Sequence, residues 1–206
     1  MNHNRKKIIV IGIDEAGRGP LAGPVVVGGV CYVHPICNYG SYSIPLLRGI
    51  KDSKQLTAGK REQWFNSIRA SRDFLYAVSV VSPAVIDRIN IARATEKGVA
   101  RVYKKIYKKL VLAAGIKPHM VILDGGLKLP ADIHHKAFIK GDECFPLIAA
   151  GSIIAKVTRD RIMVNLHKKF PQYRFDLHKG YGTALHYLML EQHGISGAHR
   201  RSFIKI

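Results

Sequence analysis

The sequence predicts an α/β fold, a mixed sheet with helices packed against it. Three observations support this. Ile8 to Ile13 is an unbroken apolar run bounded by turn residues, the pattern of a strand buried on both faces. Further apolar or valine-rich runs lie at 25–33, 74–81 and 120–123. Other segments carry helical spacing, above all 91–114, where Ile91, Val99, Val102, Ile106 and Leu110 recur at threes and fours or at their sum. Hydrophobic residues make up 47% of the 206, enough to build the core of one large domain.

Taken in order, the first strand ends abruptly in Asp14 and Glu15, followed by Gly17-Arg18-Gly19-Pro20. Val25 to Val33 follows Pro24 and reads as its hairpin partner. Residues 34–50 are loop-like, with Pro35, Asn38, Gly40, Pro45 and Gly49. Thr57 is a suitable cap for a helix through Trp64 and Ile68, with Trp64 packed on the core. Phe74 to Val81 forms a third strand, and Ser82-Pro83 opens a short helix. The helix over 91–114 carries Arg93, Lys97, Arg101, Lys104, Lys105, Lys108 and Lys109 on its other faces, read mainly as a solvated surface. Met120 to Leu123 is a buried strand ending in Asp124, before Gly125-Gly126. Lys136 to Ile139 is a short further strand. Pro146 opens a helix through Ile148, Ile153, Ile154 and Val157 toward Phe170, and a last helix begins near Thr183.

The charge is +19, from 33 Lys and Arg against 14 Asp and Glu. The surplus is spread along the chain, so it belongs to a folded surface that attracts polyanions, with nucleic acid the leading partner. No stretch has the pattern of a strong amphipathic membrane anchor, and none reaches the length of a membrane span. Cys31, Cys37 and Cys144 lack Cys-x-x-Cys spacing, which argues for reduced thiols over zinc or a disulfide framework. The basic N-terminus precedes an apolar run too short for an export signal and cut by Asp14, so the expected location is cytoplasmic. The ten histidines show no metal spacing and are read as surface or structural residues.

Four acids stand out. Asp14 and Asp124 each end an apolar strand, and neighbouring strands would bring their carboxylates to one sheet edge, where open α/β proteins place ligands. Converging carboxylates repel, and a hard divalent cation removes the repulsion; oxygen ligands suit Mg²⁺ or Mn²⁺. Glu15 would share a pocket with Asp14 only if the backbone leaves strand geometry there, because side chains on a strand alternate faces. Asp142, four residues before Pro146, fits either a metal site or a favourable charge at a helix start. Carboxylates within so basic a chain suggest two-metal phosphoryl chemistry. Lys51-Asp52-Ser53-Lys54 and His178-Lys179-Gly180-Tyr181-Gly182-Thr183 are candidate phosphate-binding loops, with Tyr181 placed to stack on a sugar or base.

These residues make the chain resemble ribonuclease HII, the bacterial type 2 ribonuclease H. The likeness rests on Asp14-Glu-Ala-Gly-Arg-Gly-Pro-Leu-Ala-Gly-Pro-Val25, Asp52-Ser-Lys54, Gly151-Ser-Ile-Ile-Ala-Lys-Val-Thr-Arg-Asp160, Lys179-Gly-Tyr-Gly-Thr183 and His199-Arg-Arg-Ser-Phe203. The resemblance implies a ribonuclease H-like mixed five-stranded sheet flanked by helices, with a helical C-terminal segment. It implies one catalytic domain over 8–206 behind a basic tail at 1–7. It implies a monomer that cleaves the RNA strand of RNA–DNA hybrids and incises duplex DNA at single embedded ribonucleotides, leaving 5′-phosphate and 3′-hydroxyl ends. The catalytic acids would be Asp14, Glu15, Asp124 and Asp142, the first three being the principal metal ligands. Gly17, Arg18, Gly19 and Tyr181 would sense the ribose 2′-hydroxyl, with Lys51, Ser53, Lys54, Lys179 and Thr183 as further substrate contacts. The chain departs from the family pattern at Gly125-Gly126-Leu127 and over residues 95–103. A non-catalytic nucleic-acid binder and a DNA-directed nuclease or recombinase of the same fold are the rival readings.

Overall fold

Residues 9–34 and 44–204 are described by a computed structural model. The expected basic tail, Ile8, Pro35, Cys37, Asn38 and Gly40 lie outside them. The elements run β1 (Val10–Ala16), β2 (Val25–Tyr32), α1 (Ala58–Ala70), β3 (Phe74–Val81), α2 (Pro83–Ile89) and α3 (Ile91–Ala114). They continue with β4 (Met120–Asp124), β5 (His135–Phe138), α4 (Gly141–Cys144), α5 (Pro146–Lys169), α6 (Phe175–His178) and α7 (Ala184–His193). The strands form one mixed sheet in the order β3-β2-β1-β4-β5. Strands β1 and β2 pair antiparallel, as do β2 and β3, while β4 runs parallel to both β1 and β5.

The expected elements are present, with two adjustments that matter. The first strand does not stop at the acids: its ladder with β2 continues through Glu15 and Ala16. The backbone leaves strand geometry only at Gly17, whose φ is +92°. The fifth strand lies one residue earlier than expected, which leaves Ile139 exposed beyond it. Three expected helix starts hold as read. Thr57 and Thr183 accept a backbone hydrogen bond from Lys60 and His186, and Pro146 opens α5.

Helix α5 lies directly on the centre of the sheet. Glycine makes this possible, because a Cβ on Gly12 would overlap the Leu147 carbonyl and one on Gly28 the Gly151 oxygen. The outer side of the first half of α5 is covered by Phe65 and Ile68 of α1, together with Ile44 and Leu47. Pro146 to Ala155 are all buried, and Ser152 is the one polar side chain among them. Trp64 packs at the margin of this core. Helix α3 covers the opposite face, where Val99, Val102, Ile106 and Leu110 meet Ile11, Ile13, Val27 and Leu123. Two of its cations do more than face solvent. Lys105 Nζ donates to the Val78 carbonyl at 2.7 Å and Lys109 Nζ to the Tyr76 carbonyl at 2.9 Å. They cover the outer backbone of β3, an edge strand open to unwanted pairing.

The C-terminal part builds a smaller core from Leu21, Ala22, Met163, Tyr173, Phe175, Leu190 and Ala198. Three of the histidines read as surface or structural are buried here: His178, His186 and His199. The His186 and His199 Nε2 atoms lie 3.1 Å apart, and the His178 and His186 rings stack at 4.3 Å. Cys31 is buried, its thiol pushed up to about 12 by burial, and Cys144 is exposed; both are free. No helix among the described residues is long and apolar enough to cross a membrane.

Burial pushes all three histidines below the ordinary range, His199 to about 4, with His186 adding to the effect at His199. The unfolded chain therefore takes up these protons first. Their contribution is fully present above about pH 6.5 and is lost as pH falls toward 4. Between pH 6.5 and 4.5 these histidines are expected to lower the melting temperature, and His199→Gln to lessen that loss relative to the wild-type chain. An unaltered loss in a folded His199→Gln variant would remove His199 from the acid response.

Candidate active site

Strand register brings the acids together. Ile13 lies opposite Leu123 in the parallel β1–β4 pair, so the next residues, Asp14 and Asp124, end adjacent strands at the same level. Asp142 arrives from α4, a single turn after β5. Its four residues leave no room for a helical repeat, so periodicity could not reveal it. Asp142 is thus not the charge at the start of α5; it stands in its own short helix, 5% exposed. Carboxylate oxygens of Asp14, Asp124 and Asp142 all lie within 4.8 Å of one another.

Backbone groups aim these carboxylates. Asp124 Oδ1 accepts the Gly141 N–H at 2.7 Å and the Asp142 N–H at 3.4 Å. Asp14 Oδ1 accepts the Glu15 N–H at 2.6 Å. Strand alternation sets Asp14 on the α5 face and Glu15 on the α3 face. Both nevertheless line one cavity of about 250 Å³, because the sheet ends there. The predicted break in strand geometry at Glu15 is not needed. Glu15 Oε1 is 3.5 Å from Arg18 Nη1, while its Oε2 is buried without a hydrogen-bond partner.

The electrostatics are those of an acid cluster that Arg18 and Lys54 offset only in part. Burial, then Glu15, then Asp124 raise the Asp14 carboxyl well above its ordinary value. Burial raises Glu15, against a side-chain hydrogen bond with Asp14 and the Arg18 charge. Burial and Asp124 push Asp142 up to about 6. Lys54 Nζ lies 3.5 Å from Asp142 Oδ2, and the surrounding acids hold Lys54 above its usual range despite burial. An all-oxygen set with an orphaned buried carboxylate oxygen fits a hard divalent cation.

The remaining candidates divide by place. Gly17, Arg18, Gly19, Ser53, Lys54 and Tyr181 line the same cavity, and Tyr181 is 43% exposed. Lys51, Lys179 and Thr183 stand outside its lining. Lys51 is exposed, Lys179 Nζ donates to the Asp176 carbonyl, and Thr183 caps α7.

Five residues at the site had no role assigned from sequence. Ser152 and Lys156 line the cavity. Asp52 is buried, with Ser152 Oγ 3.5 Å from its Oδ1, and it faces Asp142. Arg159 and Arg200 are each 0% exposed. Arg200 donates to the carbonyls of Gly17 (2.6 Å), Arg18 (2.8 Å) and Gly23 (2.9 Å). Arg159 donates to the carbonyls of Pro24 (3.0 Å), Lys179 (3.0 Å) and Ala22 (3.1 Å), with its guanidinium 5.6 Å from the Tyr181 ring centre. Burial lowers both guanidinium pKa values, Arg200 to about 9 with Arg159 contributing. A periodic signal for Arg159 exists: Ser152, Ala155, Arg159 and Met163 fall at threes and fours on one face of α5 and are all buried.

A five-stranded sheet of this order, with acids gathered where its two central parallel strands end, defines a nuclease of the ribonuclease H class. The family model for ribonuclease HII matches residues 11–206, and the chain belongs to that family. It is therefore an endoribonuclease of the class that acts on RNA–DNA hybrids. A ribonuclease HII from Delftia acidovorans is 42% identical over 200 residues, covering 96% of this chain and 77% of that one. One from Syntrophus aciditrophicus is 43% identical over 196 residues, covering 95% and 84%. Among solved structures, a chain of the PCNA:RNase HII complex from Archaeoglobus fulgidus matches with a TM-score of 0.68 and 29% identity, covering 97% of this chain and 96% of that one.

A carboxyl raised by folding costs stability once pH exceeds its unfolded value near 3.8. Asp14→Asn is therefore expected to raise the melting temperature at pH 8 in chelator, by about 2–4 °C. Adding Mg²⁺ or Mn²⁺ should narrow that gap. A variant that melts below wild type in chelator would contradict the repulsive cluster.

Proposed function

We propose that this chain hydrolyses the RNA strand of RNA–DNA hybrids and also incises duplex DNA at a single embedded ribonucleotide, leaving 5′-phosphate and 3′-hydroxyl ends. The observation that carries the reading is the convergence within 4.8 Å of Asp14 and Asp124, at the ends of parallel strands, with Asp142 of α4. Asp14, Glu15 and Asp124 would hold divalent cations, Mg²⁺ or Mn²⁺, and Asp142 would complete the set. When bound, a pair of such ions supplies an activated water and the positive charge that stabilises the departing oxygen.

The protein's own groups prepare the rest. The N–H groups of Gly141 and Asp142 hold the Asp124 carboxylate in one orientation, so little reorganisation is left to the reaction. Lys54 and Lys156 bring positive charge to the cavity wall, where phosphate oxygens would lie. The Gly17-Arg18-Gly19 loop offers backbone close to the cavity, since its glycines carry no side chain to keep a ribose away. The half-exposed Tyr181 ring is available to pack on the sugar at the RNA-to-DNA step. The 2′-hydroxyl is then a recognition handle and not the nucleophile.

Asp124→Asn is expected to abolish cleavage of a duplex carrying one ribonucleotide while leaving the fold and most of the hybrid affinity intact. Full activity in that variant would remove Asp124 from the mechanism. Tyr181→Ala should reduce the preference for a ribose over a deoxyribose site by about tenfold, more than it weakens overall binding. An unchanged preference, measured as the ratio of kcat/KM on the two duplexes, would exclude the ring from junction sensing. Cutting of an all-DNA duplex at the same rate would favour a DNA-directed nuclease.

A further inference from the structure

A second concave surface adjoins the catalytic edge, on the α3 side of the sheet. Its location follows from the register. Val27 pairs with Glu15 on β1 and with Ser79 on β3, so β3 ends at the same edge as the acids. Helix α2 and the first turns of α3 follow from there. Ala94 packs with Val25 and Val81, and a Cβ on Gly98 would stand 2.6 Å from Val27 Cγ2. The start of α3 therefore sits level with Glu15. Facing it is the loop that leaves Asp124, whose Leu129 is buried in the α3-side core. Between them lies a groove of about 460 Å³.

Its lining includes Arg93 and Lys97 on successive turns of α3, Lys128 on the opposing loop and a single acid, Glu96. Among the described residues, Arg93, Lys97 and Lys128 form no ion pair, and their side chains make no hydrogen bond. Two separate segments thus direct unpaired cations into one hollow, which a uniformly solvated helix face would not do. Lys128 is four residues beyond Asp124, so its Cα is within about 14 Å of that of the catalytic acid. Phosphates of one strand recur every ~3.4 Å along the helix axis, so this reach corresponds to a few nucleotides.

We infer that Arg93, Lys97 and Lys128 form a phosphate-binding subsite for the backbone of the substrate duplex, a few nucleotides from the scissile bond. The subsite rests on the proposed nuclease reading. It contacts no reacting atom, so it adds affinity without altering the chemical step.

The test compares three proteins binding a duplex with one embedded ribonucleotide, in chelator, over a series of salt concentrations. They are the wild-type chain, Arg93→Ala/Lys97→Ala/Lys128→Ala, and a charge-matched control on the same helix, Arg101→Ala/Lys104→Ala/Lys108→Ala. The groove variant should bind about tenfold more weakly. Its slope of log affinity against log salt should fall by about 2 to 3, at roughly 0.9 per lost contact. The control should lose less than half as much, and kcat of the groove variant at saturating substrate should match wild type. On a duplex trimmed close around the ribonucleotide, groove variant and wild type should bind alike. Equal losses in groove variant and control would mean diffuse charge and overturn the subsite, as would a wild-type salt slope in the groove variant. Wild-type cleavage of the same duplex with added cation reports separately on the nuclease reading.

Discussion

The parallel pairing of β1 with β4 is the constraint on which the site depends. Ile13 opposite Leu123 sets two carboxylates side by side at one sheet edge. A slip of one residue would turn Asp14 to the opposite face and take it away from Asp124. The carboxylates themselves oppose this arrangement, since each raises the energy of the other's charged form. What holds it is apolar: Ile11, Ile13, Val121, Ile122 and Leu123 are almost fully buried, between α5 on one face and α3 on the other. The close seat of α5, which Gly12 and Gly28 permit, also fixes where Ser152 meets the acids. Hydrophobic burial thus supports an electrostatically unfavourable cluster, which the proposed divalent cations would relieve.

A second constraint orders the loops around that cluster. Removing a guanidinium from water costs on the order of several kcal/mol unless its donors find partners. Arg159 and Arg200 meet that cost with six backbone carbonyls drawn from residues 17–24 and Lys179. Among the described residues neither forms an ion pair, so the loop backbone itself acts as the solvent for both charges. The effect is to tie the Gly17-Arg18-Gly19 turn to the segment that carries Tyr181. The two candidate recognition elements therefore share one pair of anchors and keep a common geometry relative to the acids.

Much of this architecture is legible in the residue pattern. The apolar spacing of Val99, Val102, Ile106 and Leu110 marks α3, and the run Phe74 to Val81 marks β3, because each buries one regular face. The acids at 14 and 124 are legible because charge at the end of a buried strand is unusual. The exit of the first strand is not, since nothing in Asp14-Glu15-Ala16 says that pairing with Val26 and Val27 outlasts the apolar run. Glu15 reaches the cavity from the other face of the sheet, a route that alternation alone excludes until the sheet's edge is known. The position of Asp142 depends on a single helical turn with no period. Arg159 shows a periodic trace within α5, whereas Arg200 has none, because its place is set by a contact with a loop far away in sequence.

That distance has a consequence for how the protein is made. Arg200 and Gly17 are separated by 183 positions, and Arg200 and Arg18 by 182. A ribosome adding about 5–20 residues per second needs roughly 10–40 s to travel between them. Throughout that interval the nascent polypeptide has its first carboxylates but not the anchor that shapes the turn beside them. On the proposed reading, the grip on a duplex thus waits until the segment that carries Arg200 has been made.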